Sequence, residues 1–113
     1  LKPDTRLPMM YMPDAIKSLI DLSKAKPSSL IHHCDFNVNS LSFTPSELAN
    51  SIKRINSSFQ VTYKVDPVRQ AIADSWPSSL DDTVARREWG WSPDFDMESL
   101  VEDMYSNLVA KLD

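Results

Sequence analysis

The amino-acid order predicts an α/β protein, specifically the closing part of an α/β sheet domain with a smaller, largely helical lobe attached. Two observations carry the prediction. Short runs suited to strands, Met9–Met12, Asp35–Val38 and Gln60–Lys64, alternate with segments that carry helix start signals and helical spacing. The last third then holds two helical blocks with no strand between them, which fits a lobe better than another sheet repeat.

Met9–Met12 is an apolar run suited to a buried strand, and Pro13-Asp14 behind it are good first-turn helix residues. A helix is expected to run to about Lys24, with Ala15, Ile16, Leu19 and Ile20 on its buried stripe. Lys26–Ser29 reads as a loop, and Asp35–Val38 as a strand entering SLSFTPSELANSIKRI. There Thr44 and Glu47 have capping-box spacing, Pro45 takes the first helical position, and Leu48, Ala49, Ile52 and Ile55 form the inward stripe. Gln60–Lys64 alternates as a half-exposed strand that leads into a proline-bounded loop, Val65–Pro77. Asp82 caps a short helix over Val84–Trp89 that stops at Gly90, and Pro93 prevents its continuation. Asp96 caps the last helix, whose Met97, Leu100, Val101, Met104, Leu108 and Val109 recur at helical spacing.

Composition narrows the function classes. A net charge of −4 argues against nucleic acid as a partner, since a duplex-binding face needs clustered cations. No apolar run approaches the roughly 20 residues of a spanning helix, so no membrane partner is expected. Cys34, the only cysteine, is expected as a buried thiol in a reducing compartment, and no metal site is expected. His32 and His33 in HHCDF are adjacent and would point to opposite sides of an extended chain, so they read as solvated loop histidines with no assigned role. One glycine among 113 residues leaves no glycine-rich phosphate loop, so any nucleotide site must be completed elsewhere. The opening LKPDTRL has neither an initiator methionine nor a signal sequence, and the chain is expected to be a piece of a longer protein.

The segment VDPVRQAIADSWP holds Arg69, Asp74 and Trp76 between Pro67 and Pro77. An arginine offers a planar fork of donors and a tryptophan a flat wall with one N–H, so the segment reads as a rigid recognition loop. Its surroundings carry a resemblance. TRLPMMYMPDAI and DDTVARREWGWSPDFDMESLV resemble the strand-to-helix segment and the closing helices of the extended short-chain dehydrogenases, whose fold combines a Rossmann-like parallel sheet with a small, largely helical substrate-binding lobe. LPMMY, SFTPSELA, the Arg/Trp segment and Trp89-Gly90-Trp91 together resemble the C-terminal third of the L-threonine 3-dehydrogenases of that type.

The resemblance implies that residues 1–113 are a C-terminal substrate-binding portion, with the last strands and helices of the Rossmann-like domain. The N-terminal NAD-binding part would lie outside this chain. It implies an NAD-dependent oxidation of L-threonine to 2-amino-3-oxobutanoate, residence in mitochondria or otherwise in the cytoplasm, and a homodimer formed through the missing part. The family's catalytic residues lie upstream of the matched region. Tyr11, Tyr63 and Tyr105 are followed four positions on by Ala15, Pro67 and Val109, so none completes a Tyr-x-x-x-Lys pair. The family's DSWP motif maps onto Asp74–Pro77 and makes Trp76 the leading substrate-binding residue, with Arg69 as a second. The competing structural readings pack Trp76 between lobe and sheet, and pair Arg69 with Asp66 or Asp74. Two other function classes stay open: a nucleotide-sugar epimerase or dehydratase of the same superfamily, and a non-catalytic binding module that keeps the fold. Epimerase tails usually read Arg-Pro-Gly-Asp where this chain has Pro67-Val68-Arg69-Gln70.

Overall fold

A computed structural model describes residues 1–112 and contains two short strands, five α-helices and one 3-10 turn. β1 (Leu7–Met9) pairs antiparallel with β2 (Leu41–Phe43), Pro8 standing opposite Ser42. Proline can stand in β1 because a two-stranded ribbon consists of edge strands and needs no second ladder. This antiparallel pair is the sheet of the described residues.

The expected strand over Met9–Met12 is displaced toward the N-terminus. Met12 already belongs to α1 (Met12–Lys24), because Pro13 fits the first turn and fixes where the helix starts. The strand expected at Asp35–Val38 does not form, since Asp35 takes φ +64°, a left-handed conformation that an extended run cannot contain. Its role passes to β2. Gln60–Lys64 is exposed and finds no ladder partner among the described residues, so its alternation produces no strand.

The helix signals are realised more directly. α2 (Pro45–Ile55) opens on a complete capping box: Glu47 N donates to Thr44 Oγ1 at 3.2 Å, and Thr44 N donates to Glu47 Oε2 at 2.9 Å. The Thr44 N–H first, and then Arg6, which pairs with Glu47 as well, hold Glu47's carboxyl below its ordinary range. Val65–Pro77, expected as a loop, contains helix α3 (Pro67–Asp74), because Asp66 Oδ1 accepts from Val68 N and Arg69 N while Pro67 occupies the first helical position. α4 (Thr83–Trp89) ends on Gly90 in the left-handed conformation, with φ +74°. Its entry differs from expectation in one respect: Asp81, not Asp82, accepts from Thr83 N, and Asp82 instead bonds Arg86 at 2.8 Å. α5 (Met97–Leu112) is capped as expected, Ser99 N donating to Asp96 Oδ1 at 2.9 Å.

The packed centre is narrow. Leu100 and Val101 of α5 lie under α2, where Ala49 is buried, while Trp91 is the largest fully buried side chain. Trp91 Nε1 donates to Asn39 O at 2.9 Å, and the Lys17 ammonium stands 5.3 Å from its ring centroid. The packing role expected of Trp91 and Trp89 is what they have here, Trp89 being half-buried between Phe36 and Trp91. α1 departs from expectation: Ile16, Leu19 and Ile20 are exposed, and Asp14 and Ser18 are its buried residues. The radius of gyration is 16.9 Å, against about 13 Å for a compact domain of this length. The chain is a slab of 52 × 37 × 19 Å, and its thin dimension explains why the α1 stripe has nothing over it.

Candidate functional site

Trp76 lies two residues beyond α3. Its N–H donates to Ala73 O at 3.2 Å, which continues the helical turn and swings the indole back toward the chain's N-terminal segment. The side chain is 57% exposed, so it does not fill a core between lobe and sheet within this chain. It borders two clefts. One, of about 330 Å³, is walled by Leu1, Leu7, Arg69, Ile72, Ala73 and Trp76. The other, of about 280 Å³, is polar, with Lys2, Asp4, Arg6, Asp74 and Ser78 around Ala73 and Trp76. Both volumes suit a small metabolite.

Arg69 and Trp76, singled out by sequence, therefore line one cleft. The proposed internal pairing of Arg69 does not form: it takes part in no ion pair among the described residues. Its two expected partners are engaged otherwise. Asp66 Oδ1 caps α3, and Asp74 Oδ1 accepts from Gln70 Nε2 at 2.7 Å. The guanidinium fork is left available to an anion from outside.

Sequence reasoning missed the opposite wall, Leu1–Leu7. Those residues stand 60 or more positions from α3, and no local pattern announces the pairing. What joins the two walls is Gln70, 4% exposed: Lys2 N donates to its Oε1 at 2.8 Å, and its Nε2 donates to Thr5 Oγ1 at 2.9 Å.

A larger cleft of about 410 Å³ opens beside β2 and the α2–α5 pair. It is a weaker candidate, because its two arginines are spent on glutamates, Arg6 on Glu47 and Arg54 on Glu98. A cavity of about 300 Å³ between α2 and α5 is mostly apolar, with Leu48, Ile52, Phe59, Met104 and Leu108 on its walls, and Asn56 and Tyr105 as its polar side chains; it has no charged group to meet the ionic ends of an amino acid.

The histidine and cysteine segment holds no reactive constellation. Cys34, expected as a buried thiol, is exposed beside the left-handed turn at Asp35, and its hydrogen bond to Asp35 Oδ2 raises its pKa. His32 is not merely solvated. Its Nδ1 lies 2.7 Å from Glu88 Oε1, and Glu88 Oε2 accepts from Ile31 N and His32 N. Burial pushes Glu88 upward, but those hydrogen bonds outweigh it and hold the carboxyl below its ordinary range. Among the described residues no group of three or more His, Cys, Asp or Glu is placed to hold a metal ion, and no helix is long and apolar enough to cross a membrane.

Tyr11 offers no activated base. Tyr11 Oη donates to Asp103 Oδ2 at 2.7 Å, and that bond raises its pKa by favouring the protonated phenol.

No family model matches the chain. A bovine (Bos taurus) protein named L-threonine 3-dehydrogenase, mitochondrial, is 51% identical over 92% of this chain, and the match spans 28% of the bovine protein. An uncharacterised epimerase/dehydratase of Staphylococcus haemolyticus is 40% identical over 96% of this chain and 34% of its own length. Among solved structures, the L-threonine dehydrogenase of Phytophthora infestans superposes with a TM-score of 0.93 at 47% identity, over 98% of this chain and 36% of that one. The chain thus spans about a third of the length of the proteins it matches. It is a homologue of the C-terminal part of the L-threonine 3-dehydrogenases of the extended, GalE-like short-chain dehydrogenase type, and it has their fold.

Proposed function

We propose that residues 1–113 are the substrate-binding portion of an NAD-dependent oxidoreductase that converts L-threonine to 2-amino-3-oxobutanoate, with Trp76 and Arg69 on one wall of the threonine pocket. The observation that carries the reading is the shared cleft: an exposed indole and an arginine without an ionic partner face one small cavity on a family fold of threonine dehydrogenases. A guanidinium fork matches the α-carboxylate bidentately, and an indole covers the apolar face of the amino acid while offering one N–H.

Oxidation of the β-hydroxyl removes a hydride equivalent from carbon and a proton from oxygen. In this reading the present chain binds and orients, while the base and the hydride acceptor belong to the rest of the protein. The described residues do not fit a dinucleotide pyrophosphate. Gly90, the chain's sole glycine, closes α4 at its C-terminal end, where carbonyls rather than N–H groups point outward. NAD is assigned to the N-terminal part, and so is the homodimer contact. Mitochondrial residence belongs to the same proposal, supported by the name of the bovine relative.

The test is Trp76→Ala in the full-length protein. The specificity constant for threonine should fall roughly tenfold to several-hundredfold, with NAD affinity unchanged. A lowered melting temperature with near-normal threonine kinetics removes Trp76 from the pocket. Turnover of a nucleotide sugar by the unaltered protein, with none of threonine, overturns the substrate in favour of the reading that the staphylococcal relative supports.

A further inference from the structure

Gln70 is buried behind the proposed pocket, absent from its lining yet bonded to both of its walls. It sits on α3 between Arg69 and the turn that carries Trp76, and its side chain makes three hydrogen bonds, two of them to the N-terminal segment. Its oxygen accepts the Lys2 N–H and its amide donates to the Thr5 hydroxyl, both in the strand-entry segment that forms the other wall. The second amide hydrogen reaches Asp74 Oδ1 at 2.7 Å, one turn on along the same helix. Asp74 is the last residue of α3, where a negative charge opposes the helix dipole, and the amide donor offsets this.

We propose that Gln70 is the positioning residue of the substrate pocket: it sets the placement of Arg69 and Trp76 relative to the Leu1–Leu7 wall and so governs substrate affinity without touching substrate. The inference rests on the threonine reading for its kinetic consequence, but its structural consequence stands apart from that reading. An apolar residue of similar length would fill the volume. Only an amide supplies one acceptor and two donors to this set of partners.

A charge swap isolates the link. In Gln70→Glu, the acceptor for Lys2 N is kept and the Thr5 hydroxyl can turn to donate, so the contact with Asp74 is the one that becomes carboxylate against carboxylate. Adding Asp74→Asn restores a donor there. Asp74→Asn alone keeps an acceptor for the Gln70 amide and reports what the change at Asp74, itself on the polar cleft, does by itself.

The experiment measures hydrogen exchange of the Val65–Pro77 backbone amides in the full-length protein, together with steady-state kinetics on threonine. Gln70→Glu should accelerate exchange in that segment more than tenfold and raise KM for threonine about tenfold, with kcat altered less than threefold. The double variant should return both toward the unaltered protein. The single-variant defect should also shrink as pH falls, because a buried glutamate beside a second carboxylate has a raised pKa and donates again once protonated.

Unchanged exchange in Gln70→Glu, or a defect that Asp74→Asn fails to relieve, overturns the positioning role. Loosened exchange, relieved by Asp74→Asn, in a protein that never oxidises threonine supports the positioning role and sinks the threonine reading, so the two failures are told apart. A fall in kcat with KM unchanged overturns the affinity assignment.

Discussion

Asp14→Ala tests whether buried polar links hold the helical lobe in place. Asp14 is fully buried in the first turn of α1, and its carboxylate reaches across 80 residues: Asp94 N donates to Oδ1 at 2.8 Å, while Phe95 N and Ser40 Oγ donate to Oδ2 at 3.3 Å each. A hydrogen bond to a charged group contributes about 1.5–3 kcal/mol net, and the two longer contacts are worth less than the short one. Asp94 is exposed, so water can reclaim part of what its N–H loses. The expected loss for Asp14→Ala is therefore about 3 kcal/mol, and about 1–2 kcal/mol for Asp14→Asn, which keeps one acceptor oxygen. Urea unfolding of the full-length variants reads this as a lowered midpoint at constant slope. An alanine variant within about 0.5 kcal/mol of the unaltered protein would refute the argument, since it would mean that the turn before α5 is held by packing alone.

Glu88 predicts a pH dependence. Its carboxyl is held below the ordinary value, so its contribution to stability is present above about pH 4.5 and is lost as pH falls through the folded-state pKa. Melting temperature measured from pH 6 to pH 3 should fall less steeply in Glu88→Gln than in the unaltered protein, and identical slopes would dismiss the link to Ile31 and His32. Gly90→Ala should cost about 1–2 kcal/mol from backbone strain alone, because the residue has φ +74° while an added Cβ would meet nothing within 4 Å. A chemical denaturation loss well above about 3 kcal/mol would show that the turn is crowded after all.

What the sequence disclosed about this fold follows from interaction range. Thr44 and Glu47, Gly90, and Asp96 act within three or four residues, so the elements they begin or end stand where local chemistry puts them. The strands were less legible because an extended run becomes a strand only when a partner edge lies beside it. Gln60–Lys64 has the alternation without the edge, while Leu41–Phe43, a weaker pattern, has β1. The helix within Val65–Pro77 is legible in principle, since Asp66 and Pro67 are an N-cap and a first helical residue, but two flanking prolines equally suit a rigid loop. Of the candidate site, Arg69 and Trp76 could be named from residue type and resemblance. Gln70 and the Leu1–Leu7 wall could not, because a buried glutamine is recognisable only once its partners, 65 to 68 positions away, are in place.

Those distant polar links organise the molecule more than its apolar core does. Among the described residues the buried polar set, which includes Thr5, Asp14, Gln70, Asp82 and Glu88, outnumbers the buried apolar set, in which Ala49, Ala73 and Ala85 contribute little area. Meanwhile Ile16, Leu19 and Ile20 on α1 and Leu108 and Val109 on α5 lie open. Apolar contact is non-directional and tolerates sliding, whereas a buried amide or carboxylate facing several backbone donors has one satisfactory arrangement and leaves orphaned groups in any other. A thin slab held in this way has its geometry specified at a few points: Asp14 fixes α1 to the start of α5, Glu88 fixes the Ile31–His32 segment to α4, and Gln70 fixes α3 to the N-terminal segment. The Trp76 cleft lies beside the last of these, and buried Leu7 and Ala73 supply apolar area on its two walls. The Gln70 amide adds direction to that non-directional contact, so a change at Gln70 should reach the pocket before it reaches the fold.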